Sequence, residues 1–333
     1  MNPNPPSPRT VLILGANGRM GCAAAQAFDA AGWRVLAQVR RDASAELPPR
    51  AQLLRRPLGD PGGVVKAAPD ASVVVHAVNP AYTRWDSEAM PALRHGLEIA
   101  ERLGAHLMLP GNVYNYGTSM PALLTETTPF RPDTQKGRIR VDMEALMAER
   151  ARSGGFSASV VRAGDFFGGG RGNWFDQAIV KSLAAGKLVY PGPLDLPHAW
   201  AYLPDLGREF VRLASLAQPA PFDVWHFEGH TVTGEQLLAA IEAAATALGC
   251  APAGGWRRGG LPWALIRAVG LVVPNWRELA RMSYLWRTPH ALVASRSRAL
   301  PERPAATPLP LALRHALADL GFGRSAHAVP APR

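Results

Sequence analysis

Val11-Leu12-Ile13-Leu14-Gly15-Ala16-Asn17-Gly18-Arg19-Met20-Gly21 stands near the start of this 333-residue sequence, and an Ala-rich stretch continues from Arg19 to Ala31 and stops at Gly32. Four apolar residues ending in glycine predict a buried strand and a tight turn, and the Ala-rich stretch predicts a helix with a glycine C-cap. A helix N-terminus carries unpaired N–H groups and the positive end of a dipole, so it attracts a pyrophosphate where side chains leave room. Gly15 permits the turn, Gly18 lets the backbone approach the phosphates, and Gly21 lets the helix pack closely on the sheet. With Asn17, Arg19 and Met20 these residues form a loop expected to bind a dinucleotide.

The same strand and helix rhythm runs outward from this loop. Further strands are expected over Arg34–Val39, Ala51–Leu54, Ser72–Val78, His106–Leu109 and Ala158–Arg162. Helices are expected from a cap at Ser87 to Leu103 and over Arg138–Arg152. The unbroken apolar run in Ser72–Val78 suits a strand buried on both faces of a parallel sheet. The fold class is therefore α/β: a Rossmann, doubly wound parallel sheet with right-handed crossovers and a smaller C-terminal substrate-binding region. Residues 1–9, with four prolines, read as a disordered tail and residues 10–165 as the dinucleotide domain. Residues 166–333 read as a substrate-binding region partly interleaved with it, where Trp, Pro and glycine clusters become frequent.

The end of the second strand chooses the cofactor: a carboxylate there accepts from the ribose hydroxyls of NAD, whereas an arginine receives the 2′-phosphate of NADP. Here it reads Gln38-Val39-Arg40-Arg41, with no acid before Asp42. NADP is expected over NAD, with Arg40 on the phosphate and Arg19 as a second cation. The alternative is that these arginines are simply solvated.

Composition bounds the partners. Hydrophobic residues make up 47% and charged residues 19%, a globular balance. The net charge of +10 is spread over isolated or paired arginines without a basic run, so a nucleic-acid partner is not expected. Cys22 and Cys250 have no neighbouring Cys or His at metal spacing, so neither a disulfide framework nor a metal site is expected, and a cytoplasmic location fits. Leu261–Val273 is the most apolar later stretch. It is too short to span a bilayer and reads as a core or interfacial helix, so no membrane partner is expected. The partner expected is a small-molecule substrate, and the chain a monomer or homodimer.

The G-x-x-G-x-x-G spacing resembles that of the extended short-chain dehydrogenase/reductase family, which includes NAD-dependent sugar-nucleotide epimerases and dehydratases. Val75-His76-Ala77-Val78-Asn79-Pro80 resembles its cofactor-lining fourth-strand segment, which implies contacts from Ala77, Val78 and Asn79. Val160-Val161-Arg162-Ala163-Gly164-Asp165-Phe166-Phe167-Gly168 is similar to its sixth-strand segment, which places Ala163 at the cofactor. Ala201-Tyr202-Leu203-Pro204-Asp205 is similar to its "Y-V-x-D" segment, and Pro57-Leu58 stands where the family has an adenine-contacting "D-L".

That family's chemistry rests on a Ser and on Tyr and Lys spaced Y-x-x-x-K. Pro110-Gly111-Asn112-Val113-Tyr114-Asn115-Tyr116-Gly117 puts Asn112 at the Ser position. Thr134-Gln135-Lys136-Gly137-Arg138-Ile139-Arg140 puts Lys136 on the Tyr and Arg140 on the Lys. The chain thus resembles an atypical member, near the NmrA-like and isoflavone-reductase-like branch. Two readings of the altered positions stay open. In one, Lys136 exchanges a proton, its ammonium disfavoured by burial and Arg140, while Asn112 donates to a substrate oxygen. In the other, Arg140 pairs with Glu144 on the helix surface, and Lys136 only binds a ribose or phosphate. Tyr114 is the next candidate acid, and Asp165, His198 and Tyr202 are candidate substrate contacts. The expected function is an NADP-dependent oxidoreductase acting on a small carbonyl or hydroxyl compound. The alternatives are a nucleotide-sugar epimerase or dehydratase and a non-catalytic NADP sensor.

Overall fold

The computed structural model describes residues 8–40, 42, 44–216, 219–300 and 302–323; residues 1–7 of the expected tail and Arg41 lie outside them. The first strand, β1 (Thr10–Leu14), is followed by α1 (Arg19–Ala30), β2 (Arg34–Gln38) and β3 (Gln52–Leu54). Next come α2 (Pro61–Ala67), β4 (Ala71–His76), α3 (Trp85–Leu103) and β5 (His106–Gly111). Then α4 (Gln135–Ser153), β6 (Ala158–Arg162), α5 (Leu203–Ala214) and β7 (Phe222–His226) complete one seven-stranded sheet and its helices.

The strand order is β3-β2-β1-β4-β5-β6-β7, and every pairing is parallel. Alternation along β1 explains the layers: Val11 and Ile13 enter the core under α1 and α5, and Leu12 and Leu14 enter the core under α3 and α4. Each strand residue meets a helix layer, so the inner strands read as continuous apolar runs. The chain reverses direction across the sheet between β1 and β4, which opens a crevice at their carboxyl ends.

Several boundaries differ from the sequence reading. The helix expected from a Ser87 cap begins at Trp85, and the Ser87 hydroxyl donates to Arg84 O (3.3 Å) inside its first turn. The helix expected from Arg138 begins at Gln135, where Thr134 caps it by accepting from Gly137 N–H (3.1 Å). The fourth strand ends at His76 and leaves residues 77–79 in an irregular loop. The seventh strand, Phe222–His226, was not expected.

Beyond β6 the chain builds a smaller three-stranded sheet from Asp165–Phe167, Pro197–Tyr202 and His230–Thr233. It packs with α6 (Gly234–Ala247) around Phe167, Trp200 and Trp286. Leu261–Val273 is not one core helix. It forms α7 (Trp263–Val269) and an exposed turn leading to α8 (Pro274–Arg281). The short α9 (Ser295–Arg298) and α10 (Leu309–Asp319) follow, and α10 packs on α6.

The fold encloses neutral imidazoles. Burial pulls His76, His106, His226 and His290 from 6.5 down to about 4. A lowered folded pKa means that the unfolded chain binds the extra protons, so this stability is complete above pH 6.5 and is lost as pH falls towards 4. Each imidazole contributes on the order of 1–3 kcal/mol across that window. Thermal melts are expected to show Tm falling steadily between pH 6.5 and 4, before most carboxylates titrate; a flat Tm there would contradict the buried-neutral assignment.

Candidate functional site

The turn after β1 has the geometry its glycines suggested. Gly15 sits at φ +74°, and a Cβ there would lie 3.0 Å from the Val78 side chain. A Cβ on Gly21 would come within 2.5 Å of Gly15 O, so only glycine lets α1 lie this close to the turn. The first turn of α1 has no capping side chain and no acid. Met20 turns away into the core beneath α1.

Neighbouring loops hold this turn. Gly15 N–H donates to Gln38 Oε1 (3.0 Å), and Gln38 Nε2 donates to Arg56 O (2.6 Å). Asn17 Nδ2 donates to Asp42 O (2.8 Å), while its Oδ1 accepts from Ser44 N–H (2.9 Å). Arg40 is exposed beside that loop, with buried Val39 before it. Ala77 N–H donates to Leu14 O (2.9 Å) and Ala163 N–H to Gly111 O (3.2 Å), so both follow the strand ends closely. Leu58 is half-buried against the core under α3.

Arg19 reaches under the glycine-rich segment 168–172, where a Cβ on Gly172 would lie 3.7 Å from its Nε. Burial lowers its pKa, and Asp176 opposes the shift. One of its terminal nitrogens, Nη1, is buried with no partner among the described residues, and so is Arg140 Nε. A bare helix N-terminus, a cradle that a Cβ would fill and two orphaned guanidinium nitrogens together fit a nicotinamide dinucleotide.

A polar cluster stands on the same edge of the sheet. Asn112, directly after β5, accepts from Tyr114 N–H through Oδ1 (3.1 Å). Its amide nitrogen has no acceptor among the described residues. The Tyr114 hydroxyl is hydrogen-bonded to that of Tyr82, which follows β4. Burial raises Tyr114 well above 10, helped by the fields of Tyr82 and Asp165, and pushes Tyr82 up to about 12.

Lys136 and Arg140 lie on one face of α4. The Lys136 ammonium is buried 5.0 Å from the Tyr82 ring centroid and paired with Glu278, which α8 brings in from the second half. Arg140 packs its guanidinium 4.8 Å from the Trp85 ring centroid and donates to Pro110 O (3.2 Å). A small pocket bounded by Val78, Asn79, Pro80, Trp85 and Arg140 lies beside it. The pairing of Arg140 with Glu144 does not form. Glu144 instead accepts from Arg162 (2.7 Å) and Asn115 Nδ2 (3.0 Å) in a fully buried network behind the site. A buried guanidinium needs a charged partner at hand, and Arg162 at the end of β6 claims this carboxylate.

Asp165 accepts from or pairs with His198 Nε2 (2.8 Å), and the His198 ring stacks on Trp286 (centroids 4.5 Å apart). Trp174 meets Trp286 edge to face (5.1 Å) in the core of the second region. Tyr202 stands apart from this group: it packs on Phe167 and lies 3.5 Å from His315. The structure therefore gathers Asn112, Tyr114, Lys136, Arg140, Asp165 and His198, but not Tyr202. Sequence reasoning missed Gln38, Tyr82 and Glu278. A signal existed for one of them, since Glu278 is the only carboxylate residue between Glu242 and Glu302.

The family model described as NAD dependent epimerase/dehydratase family matches residues 11–221. Among curated proteins none matches. The L-threonine 3-dehydrogenase of Trypanosoma brucei is similar in structure, with a TM-score of 0.72 at 18% identity over 95% of this chain and 98% of that one. A UDP-galactose 4-epimerase follows at TM-score 0.70 and 16% identity, over 94% and 98%. TunA, an NAD dependent-NDP-hexosamine 5,6-dehydratase involved in tunicamycin biosynthesis, gives 0.68 and 18%, over 94% and 98%. These likenesses are of fold.

Proposed function

Because the chain belongs to the NAD dependent epimerase/dehydratase family, we propose that it is an NADP-dependent oxidoreductase that reduces a small, hydrophobic carbonyl compound or oxidises the corresponding alcohol. One observation carries this reading: Asn112, Tyr114 and Asp165 follow strand ends on the same carboxyl edge of the parallel sheet as the Gly15–Gly21 turn.

The backbone amides at the head of α1 hold the pyrophosphate, and Arg40, with no acid before it on β2, receives the 2′-phosphate. Arg140, with its orphaned Nε, takes the ribose in place of the family's lysine. When bound, the nicotinamide ring gives or takes a two-electron reducing equivalent.

In the reducing direction the carbonyl oxygen would have to gain a proton. Asn112 has its Oδ1 engaged, so its NH2 donates to that oxygen and orients it. Tyr114 Oη delivers the proton. Burial keeps this hydroxyl protonated across the physiological range, which favours a donor over a base. Tyr82, bonded to it, fixes where the Tyr114 hydroxyl sits, with the Lys136 ammonium over the Tyr82 ring. Lys136 is engaged by Glu278, so the proton role falls to Tyr114 and the ion pair holds α8 over the site. Pro80 and Trp85 at the small pocket beside Arg140 suit an apolar substrate. The second reading, a cofactor-binding sensor, is favoured by Arg140 and Lys136 replacing the family's Lys and Tyr.

Following absorbance of the reduced cofactor with a panel of aldehydes, ketones and enones tests the proposal. Turnover with NADPH, preferred over NADH by about tenfold (~1.4 kcal/mol), is expected. Binding without turnover would favour the sensor, and conversion of a nucleotide sugar followed by NMR, with no net change in cofactor absorbance, the epimerase or dehydratase alternative.

A further inference from the structure

Leu271, Val272 and Val273 stand exposed at the turn between α7 and α8, with Leu265 and Trp276 on the flanking helices. Five of the eight large apolar side chains most exposed among the described residues fall within residues 265–276, and Leu271 and Val272 reach 77% and 79% exposure. Soluble surfaces rarely gather apolar side chains this way without something to cover them.

The turn is braced rather than loose. Arg277 donates through Nε to Gly270 O (3.0 Å) and through Nη2 to Leu271 O (2.7 Å). Trp263 Nε1 donates to Pro191 O (2.6 Å), and Ile266 is buried, so the hairpin is anchored at its base while its tip projects.

The surrounding charge names the occupant. Arg267 and Arg277 flank the apolar tip, and Glu278, the only carboxylate residue between Glu242 and Glu302, is shared between Lys136 and Arg281 (2.7 Å). Neither Arg267 nor Arg277 has a carboxylate partner among the described residues. An apolar wedge with arginines on its shoulders matches a bilayer interface, where the wedge enters the acyl boundary and the guanidinium groups meet anionic headgroups. A second copy fits worse, because a two-fold contact through this tip would bring like arginines together. No helix among the described residues is long and apolar enough to cross a membrane, so the contact is peripheral.

We propose that the α7–α8 hairpin docks the protein on the surface of an anionic lipid bilayer, with Leu271, Val272 and Trp276 inserted and Arg267 and Arg277 on the headgroups. Vesicle flotation tests this with the intact chain. Wild type is expected to float with phosphatidylcholine vesicles containing phosphatidylglycerol, to float poorly with phosphatidylcholine alone, and to be released by high salt. The double variant Leu271→Glu/Val272→Glu is expected to bind about tenfold or more weakly. Its Tm should not change, since both side chains already face solvent. Arg267→Glu is expected to weaken binding to the anionic vesicles only. Absence of binding by wild type, or equal binding by the double variant, would overturn the proposal. So would a hairpin-dependent dimer in light scattering without vesicle binding, which would make the tip an interface between copies.

Discussion

Tyr114→Phe is expected to lower kcat for carbonyl reduction by about 10²–10⁴-fold, the range over which a positioned acid acts. The substitution removes one hydroxyl and leaves the ring that packs near Trp85. It also strands the Tyr82 hydroxyl in a buried place, a loss of about 1–3 kcal/mol in stability. Melting curves should therefore show a modest fall in Tm, and NADPH affinity should change little because Tyr114 is not assigned to the cofactor. Tyr82→Phe should slow turnover less, since Tyr82 only supports the donor. If Tyr114→Phe retained near-wild-type turnover, the proton would have to come from elsewhere, with Lys136 and its partner Glu278 next in line.

The half of the molecule that holds the glycine turn after β1 was legible because its signals are local. The β1 run, the positive φ of Gly15 and the close approach at Gly21 depend on residues within one strand, turn and helix. β7 was not legible: Phe222-Asp223-Val224-Trp225-His226 lies at the sheet edge, half-buried over its first three residues, and lacks a continuous apolar run. The start of α4 was misplaced because Gln135-Lys136-Gly137-Arg138 is polar, although Thr134 three residues before Gly137 is a capping signal.

The nearness of Asn112, Tyr114, Lys136 and Arg140 was legible through spacing, but their electrostatics were not. Lys136 finds a carboxylate 142 residues away, and Glu144 is taken by Arg162 from β6 rather than by Arg140 on its own helix. The first pairing is decided by how the second half of the chain folds back on the sheet and the second by how α4 packs on β6, neither of which periodicity and motif spacing encode. The same holds for Gln38, whose side chain ties two loops that converge only in the assembled sheet.

Fluorescence titration of NADPH against wild type, Gly18→Asp and Gly18→Asn decides whether the turn after β1 holds the phosphates of a dinucleotide. Gly18 is the N-cap of α1 at φ −73°, a conformation any residue adopts, and Asp and Asn are both favourable caps. A Cβ there lies 3.3 Å from Gly15 O, so both variants ask the same small adjustment of the turn. They differ in charge alone. A carboxylate about 4 Å from a phosphate charge is repelled by about 4 kcal/mol at an effective dielectric near 20, and by less where water screens it. Saturable NADPH binding by wild type is expected, with a modest loss in Gly18→Asn and a further loss of roughly a hundredfold in Gly18→Asp with Tm preserved. Equal affinity in the Asp and Asn variants, or no saturable binding by wild type, would contradict the assignment of the Gly15–Gly21 turn to the cofactor's phosphates.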